Sequence, residues 1–171
     1  MSGKYDIRFD NRDDKLRGGL PFNHVVTFSL CFKRSLLEKI LPMPEEIRIT
    51  SDDYLKYIAF SISSGLVVLK LLAQQNIHGD NAYTFKPNDA KLMAETQILT
   101  AFWMKKNFPI SSKYSDRLLA WGIAIYPKPS DSNEFECQEV VKDYLSSSTF
   151  LEWCKIHFRV LANFLIFSLR R

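Results

Sequence analysis

The sequence predicts an α/β fold with two unlike parts, a mixed strand and helix front followed by an all-helical back. Two short apolar runs that are rich in β-branched residues, at 25–32 and 66–72, indicate buried strands in the front. Beyond residue 87 the sequence is that of helices separated by proline and polar residues. The predicted organisation is a loose lead-in over 1–22, a mixed region over 23–87 and a helical region over 88–171.

Start and stop signals place two helices in the front. Ser35 with Glu38 three residues later has the form of a capping box, and the Pro-Met-Pro run at 42–44 ends that helix. The run SDDYLKYIAFSI, residues 51–62, opens with an acidic first turn and predicts a second helix that ends before Gly65.

Three helices are predicted in the back. Asp89 is expected to cap a long helix over 90–108, which two lysines and a proline close. A shorter helix is predicted over 113–125, before a pair of prolines, and a polar, acidic connection over 130–136. The last helix is predicted over 150–169 and is very apolar toward its end.

The composition is that of a single globular domain. The chain has 171 residues, enough for one domain with a sizeable core, and 46% hydrophobic residues, near the globular average. The net charge is +4 with both signs interleaved, so no nucleic-acid partner is expected. Six glycines argue against a glycine-rich phosphate loop.

Cysteine usage and the N-terminal segment point to the cytosol. Cys31, Cys137 and Cys154 are odd in number and far apart, so neither a zinc site nor a disulfide framework is predicted, and reduced, mostly buried thiols are expected. The polar start MSGKYDIRFDNRDD lacks the apolar core of a signal peptide. We therefore expect a cytoplasmic protein.

Two sets of side chains are candidates for chemistry in the front. Asp52 and Asp53, at the head of a helix, could act as a general base or a metal ligand, or could be an ordinary acidic first turn. Lys33 and Arg34 could bind an anionic substrate or lie at the surface.

A third candidate is the segment NIHGDN that follows the second predicted strand. Its His78 and Asn81 could contact a metal or a diphosphate, and the alternative is a plain turn.

The runs FSLCFKRSLLEKILPMPEEIRITSDDYL and LVVLKLLAQQNIHGDNAY resemble the second half of a bacterial family 2 glycosyltransferase, over about residues 25 to 83. The resemblance implies inverting transfer of a sugar from a nucleotide-sugar donor to a hydroxyl of a saccharide or lipid-linked acceptor. It assigns Asp52 as the base, with Asp53 to orient or replace it. It places His78 and Asn81 near the donor diphosphate and a divalent Mg²⁺ or Mn²⁺, with His78 as the metal ligand, and Lys33 and Arg34 at the substrate.

The sequence departs from that family in two ways. Ser29 stands where the family has a glycine, and Gln75 and Asn76 stand where it has tyrosine and arginine. The family's nucleotide-binding half, with its Asp-x-Asp metal motif, is not matched, because only some 24 residues precede the first predicted strand. The resemblance therefore predicts a truncated glycosyltransferase, which could be a split gene product, a truncated remnant, or one member of a pair in which a partner chain supplies the donor-binding half.

The alternative function is a non-catalytic interaction or scaffold module that docks on a partner glycosyltransferase or on the inner face of a membrane. The ten-residue stretch VLANFLIFSL near the end is too short to span a bilayer, which needs about 20 apolar residues. The last helix could lie in the membrane interface, with Trp153 and the terminal arginines at the headgroups, or pack as a core helix. An exposed apolar patch would favour the interaction module.

Overall fold

The computed structural model describes residues 7–10, 30–47, 51–68, 89–126 and 137–169. In these residues helices dominate, and a small two-stranded antiparallel sheet gives the mixed α/β class. The elements in chain order are β1 Ile7–Asp10, α1 Arg34–Ile40, α2 Ser51–Ile62, β2 Ser64–Val67, α3 Asp89–Asn107, α4 Ser112–Ile125, α5 Gln138–Ser146 and α6 Phe150–Leu169. A 3₁₀ turn, Pro109–Ser111, leads into α4.

The sheet differs from the two buried strands that the sequence predicts. β1 pairs with β2 from Ile7 opposite Val67 to Asp10 opposite Ser64, so part of the predicted lead-in is a strand. Leu66 is 51% exposed, because a two-stranded ribbon leaves one of its faces in solvent. Of the strand predicted over 66–72, only residues 66–68 are described. Leu66 and Val68 are exposed, so the predicted burial is wrong for these two side chains, and residues 69–72 lie outside the described part of the chain.

The strand predicted over 25–32 lies mostly outside the described residues. Its last three residues, 30–32, are described and have no regular secondary structure.

Helix bounds agree closely with the predicted ones. α2 and α6 have the predicted ends, and α3 and α4 agree to within a residue. The proline run after Leu41 and the prolines after Tyr126 stand where helices end. α5 was not predicted.

The capping box lies at a different helix from the one predicted. α1 begins after Lys33 without a side-chain cap, and Glu38 accepts a hydrogen bond from Arg34 Nε at 3.1 Å instead. At the start of α6, Glu152 Oε2 accepts from Thr149 N at 2.8 Å, and Thr149 Oγ1 accepts from Glu152 N at 3.4 Å. This reciprocal pair fixes where α6 starts, and the backbone hydrogen bond from Thr149 lowers the pKa of Glu152.

The core lies along α3 and α4, which form the most extensive helix pair. Gly122 of α4 faces Ile98 of α3, both of them buried. One apolar cluster joins these helices to α5 and α6, and a second joins α1 and α2 to the end of α3. Tyr57, Leu99 and Tyr114 pack against both clusters, so the front and back helices share one continuous core.

Candidate functional site

The acidic first turn of α2 is the described part of the site that the sequence predicts. Asp52 and Asp53 both lie in that turn and are half-buried. Asp53 Oδ1 forms an ion pair with Lys56 Nζ one turn later, and Lys56 is 5% exposed. The Asp53 carboxylate is thus paired through Oδ1 with a buried lysine on its own helix.

A pair of partly buried tyrosines lies beside this turn. The rings of Tyr57 and Tyr114 are 6.0 Å apart. Burial raises the pKa of Tyr57 above its ordinary value of 10.0, and the negative charges of Asp53 and Asp52 raise it further. Burial also raises the pKa of Tyr114, and Tyr57 and Asp53 raise that pKa further. Both phenols stay protonated at neutral pH, so this region can donate hydrogen bonds but does not offer a phenolate.

The basic pair lies at the surface. Lys33 precedes α1 and Arg34 begins it, and both are exposed. The Arg34 guanidinium is paired with Glu38 on the same helix. This placement agrees with the surface alternative that the sequence left open.

The metal and diphosphate part of the predicted site cannot be compared with the structure, because His78 and Asn81 lie outside the described residues. Within the described ranges, no group of three or more His, Cys, Asp or Glu side chains could hold a metal ion.

A buried polar cluster, which the sequence did not reveal, ties α3, α4 and α5 together. Tyr144 OH donates to Asp116 Oδ1 at 2.8 Å, and Lys105 Nζ donates to Ser148 Oγ at 2.6 Å. Lys105 Nζ also lies 3.7 Å from Asp116 Oδ1 and 4.2 Å from the centre of the Tyr144 ring. Burial raises the pKa of Asp116, while Tyr144 and Lys105 lower it in part. These contacts join residues far apart in the chain, so no local sequence signal could have found them.

The most unusual surface of the described protein is the outer side of α6. The inner side packs on α4 and the core through Ile156, which is 1% exposed, and through Val160. Opposite these residues lies a row of large apolar side chains that are 61% to 86% exposed. We call this row the α6 outer face: Leu151, Phe158, Leu161, Leu165 and Leu169.

Further exposed apolar side chains border the α6 outer face. Phe150 and Trp153 lie near its start, and Phe164 and Ile166 near its end. Four of these nine side chains are aromatic, and a buried aromatic side chain covers about 150–250 Å². With the five aliphatic side chains included, the nine, 41% to 86% exposed, present on the order of 1,000 Å². The largest apolar patch of a typical soluble monomer is about 300–600 Å². The exposed apolar area of α6 lies above that range.

Comparison with known proteins adds no relative. No protein-family model, no curated protein and no solved structure matches the chain. The glycosyltransferase resemblance therefore stays a prediction.

The described helices include none that is both long and apolar enough to cross a membrane.

Proposed function

We propose that this chain is a non-catalytic interaction module whose binding surface is the α6 outer face. The observation that carries the proposal is the row of leucines and a phenylalanine, each more than 60% exposed, along a 20-residue helix. Burying apolar area stabilises an association by about 25 cal/mol per Å² before the costs of ordering are met. A patch on the order of 1,000 Å² exceeds the area of about 800 Å² that each partner buries in a standard stable interface.

The same helix is held rigidly, as a binding surface requires. The Thr149 and Glu152 capping box fixes its start, Ile156 is buried against the core, and Phe167 lies against Trp121 of α4 with ring centres 6.2 Å apart. Because the helix is already ordered by its inner side, a partner would not have to supply the free energy of folding it.

The experiment compares one substitution inside the α6 outer face with a matched one outside it. Leu161→Lys places a charge in the face, and Met93→Lys makes the same kind of change at a 47% exposed position on α3. Sedimentation velocity measures association between protein chains, and flotation with anionic lipid vesicles measures binding to a bilayer. The proposal expects association in at least one assay that Leu161→Lys loses and Met93→Lys keeps. A wild-type chain that sediments as a monomer and does not float would overturn it.

A second candidate function is favoured by the first turn of α2. We propose that, if the chain takes part in sugar transfer, Asp52 is the base and Asp53 is a structural partner of Lys56. The Asp53–Lys56 ion pair supports this division, because Lys56 Nζ already holds one carboxylate oxygen of Asp53 in a contact within the helix. The test is release of nucleoside diphosphate from nucleotide-sugars with Mn²⁺ and a saccharide acceptor. Asp52→Asn should abolish release and Asp53→Asn should retain it, and an inactive wild-type chain would refute this candidate.

A further inference from the structure

We infer that two copies of this chain associate through their α6 outer faces as an antiparallel two-helix coiled coil. The inference rests on the proposed function, because it names the partner of the surface proposed there. Three observations carry it: a heptad repeat on the exposed side of α6, the exposed area, and the way side-chain sizes match in one orientation.

The exposed side of α6 carries a heptad repeat. Leu151, Phe158 and Leu165 are seven residues apart and correspond to the a positions. The d positions are then Cys154, Leu161 and Ser168. We call the side chains at these a and d positions the seam. A seam in which a and d repeat every 3.5 residues on average stays aligned with a facing helix, which is the condition for two helices to pack along their length.

The seam faces solvent rather than the protein's own core. Phe158 is 73% exposed and Leu161 is 64% exposed, whereas Ile156, on the opposite side of the helix, is 1% exposed. α6 thus presents one apolar side to α4 and a second apolar side outward. The second side is available to another helix without any rearrangement of the fold.

The exposed area is what a stable dimer needs. A standard stable interface buries about 800 Å² on each partner. Of the nine exposed apolar side chains of α6, Trp153 and Ile166 lie on the flanks away from the facing helix, and the other seven present roughly 800 Å². Interaction of a surface with its own copy about a two-fold axis is the commonest route to a soluble oligomer.

Side-chain sizes favour the antiparallel orientation. In an antiparallel pair each a position faces a d position, so Leu151 faces the partner's Ser168 and Phe158 faces the partner's Leu161. Cys154 then faces the partner's Leu165. The outer layers combine a large side chain with a small one, which is how facing layers fill space evenly.

A parallel pair would pack less evenly. It would place Phe158 against the partner's Phe158 and Ser168 against the partner's Ser168, so that layers alternate between crowded and underfilled. The antiparallel arrangement also aligns the two helix dipoles favourably. Lys155 then lies beside the partner's Ala162, and no like charges meet.

A lipid surface is the weaker alternative for this face. A helix that lies in a membrane interface is rich in lysine and arginine around its apolar side. Along α6, Lys155 is exposed and Arg159 is half-buried among the described residues, and Arg159 has its pKa lowered by burial and by Arg117. Among the described residues of α6, few cations therefore border the seam.

Two measurements on the full chain test the inference. Sedimentation equilibrium should give a dimer, and Leu161→Lys should weaken dimerisation at least about a hundredfold, because the lysine enters the buried centre of the seam twice per dimer. Met93→Lys should leave the dimer unchanged. Circular dichroism of both variants checks that they remain helical.

Cross-linking tests the orientation. In a Cys31→Ser background, which removes an exposed thiol, diamide oxidises two neighbouring thiols to a disulfide and takes up the two hydrogens. The antiparallel pair predicts that Cys154 alone gives no covalent dimer and that Cys154 with Leu165→Cys gives one. A covalent dimer through Cys154 alone would overturn the antiparallel orientation.

The outcomes separate this inference from the proposed function. A monomer that floats with vesicles in a Leu161-dependent way would overturn the dimer and leave the interaction module standing. A monomer that does not float would overturn both. A dimer that Leu161→Lys leaves intact would show that the contact lies elsewhere and would overturn the inference.

Discussion

Replacing Gly122 with alanine tests how closely the two central helices approach. A Cβ atom at this position of α4 would lie 2.8 Å from Cγ1 of Ile98 and 3.0 Å from the carbonyl oxygen of Ala94. It would also lie 3.3 Å from the backbone nitrogen of Ile98. Two of these three atoms belong to the backbone of α3 and cannot rotate away. The added methyl group must therefore push α3 and α4 apart.

Two opposing effects set the size of the change. Alanine is favoured over glycine inside a helix by about 1 kcal/mol. Overpacking of a tight core costs about 1–3 kcal/mol, and the upper part of that range applies because the obstacle is backbone rather than a side-chain end. We expect Gly122→Ala to lower the free energy of unfolding by about 1–2 kcal/mol, which for a chain of this size is a fall in Tm of roughly 2–8 °C.

Urea unfolding followed by circular dichroism measures this change, and a double-mutant cycle identifies its cause. Ile98→Ala alone should cost about 2–5 kcal/mol, because it removes a fully buried side chain. In that background Gly122→Ala should cost less than in the wild type, since the nearest atom has gone. If Gly122→Ala is instead more stable than the wild type by about 1 kcal/mol, the change is explained by the helix propensity of alanine alone. That result would refute the close approach of the helices.

Three further substitutions test the buried polar groups. Burial raises the pKa of Asp116, so the stability it contributes is full below its unfolded pKa and is lost as pH rises through the folded value. Asp116→Asn removes that loss, so the free energy of unfolding of the variant relative to the wild type should rise as pH increases above about 4, the pKa of an unfolded aspartate. A difference between the two proteins that stays constant with pH in urea unfolding would contradict this. The raised pKa of Tyr57 means that stability falls above about pH 10, where the unfolded phenol ionises. Tyr57→Phe should reduce that alkaline loss, and an unchanged alkaline Tm would argue against a buried phenol. Thr100 is fully buried, and its Oγ1 has no hydrogen-bond partner among the described residues. Thr100→Val should therefore raise the free energy of unfolding by about 1 kcal/mol. A lower free energy of unfolding for the variant, measured by calorimetry, would show that the hydroxyl is hydrogen-bonded.

The bounds of the long helices could be predicted because their signals are local. An acidic first turn begins α2, and proline ends the helical stretches before residues 42 and 127. These rules depend on missing backbone donors and on partial charges at helix ends, which neighbouring residues alone determine. The capping box was assigned to Ser35 because only its spacing was considered. Glu38 instead pairs with Arg34, a competing partner on the same helix.

Several features that the sequence does not predict depend on distant partners. β1 is four residues long and is a strand because β2, more than fifty residues later, pairs with it. Leu66 is exposed because the sheet has only two strands in the described residues. The apolar run around Leu66 does not indicate the number of strands in the sheet. Lys105 and Asp116 meet only once α3 and α4 are packed. Of the candidate site, the positions of Asp52 and Asp53 in a first turn were predictable, and the Asp53–Lys56 ion pair follows from helical spacing.

The last helix shows why an apolar sequence does not by itself identify a core helix. A helix that is apolar on all sides is normally covered on all sides. In α6 the fold covers the side that carries Ile156 and leaves the side that carries Phe158 in solvent. The sequence of α6 is therefore adapted to two packing surfaces, one internal and one external. Since large exposed apolar areas lower solubility and favour association, the external surface is best explained by a partner, and the heptad spacing from Leu151 to Ser168 is the spacing that a second helix requires.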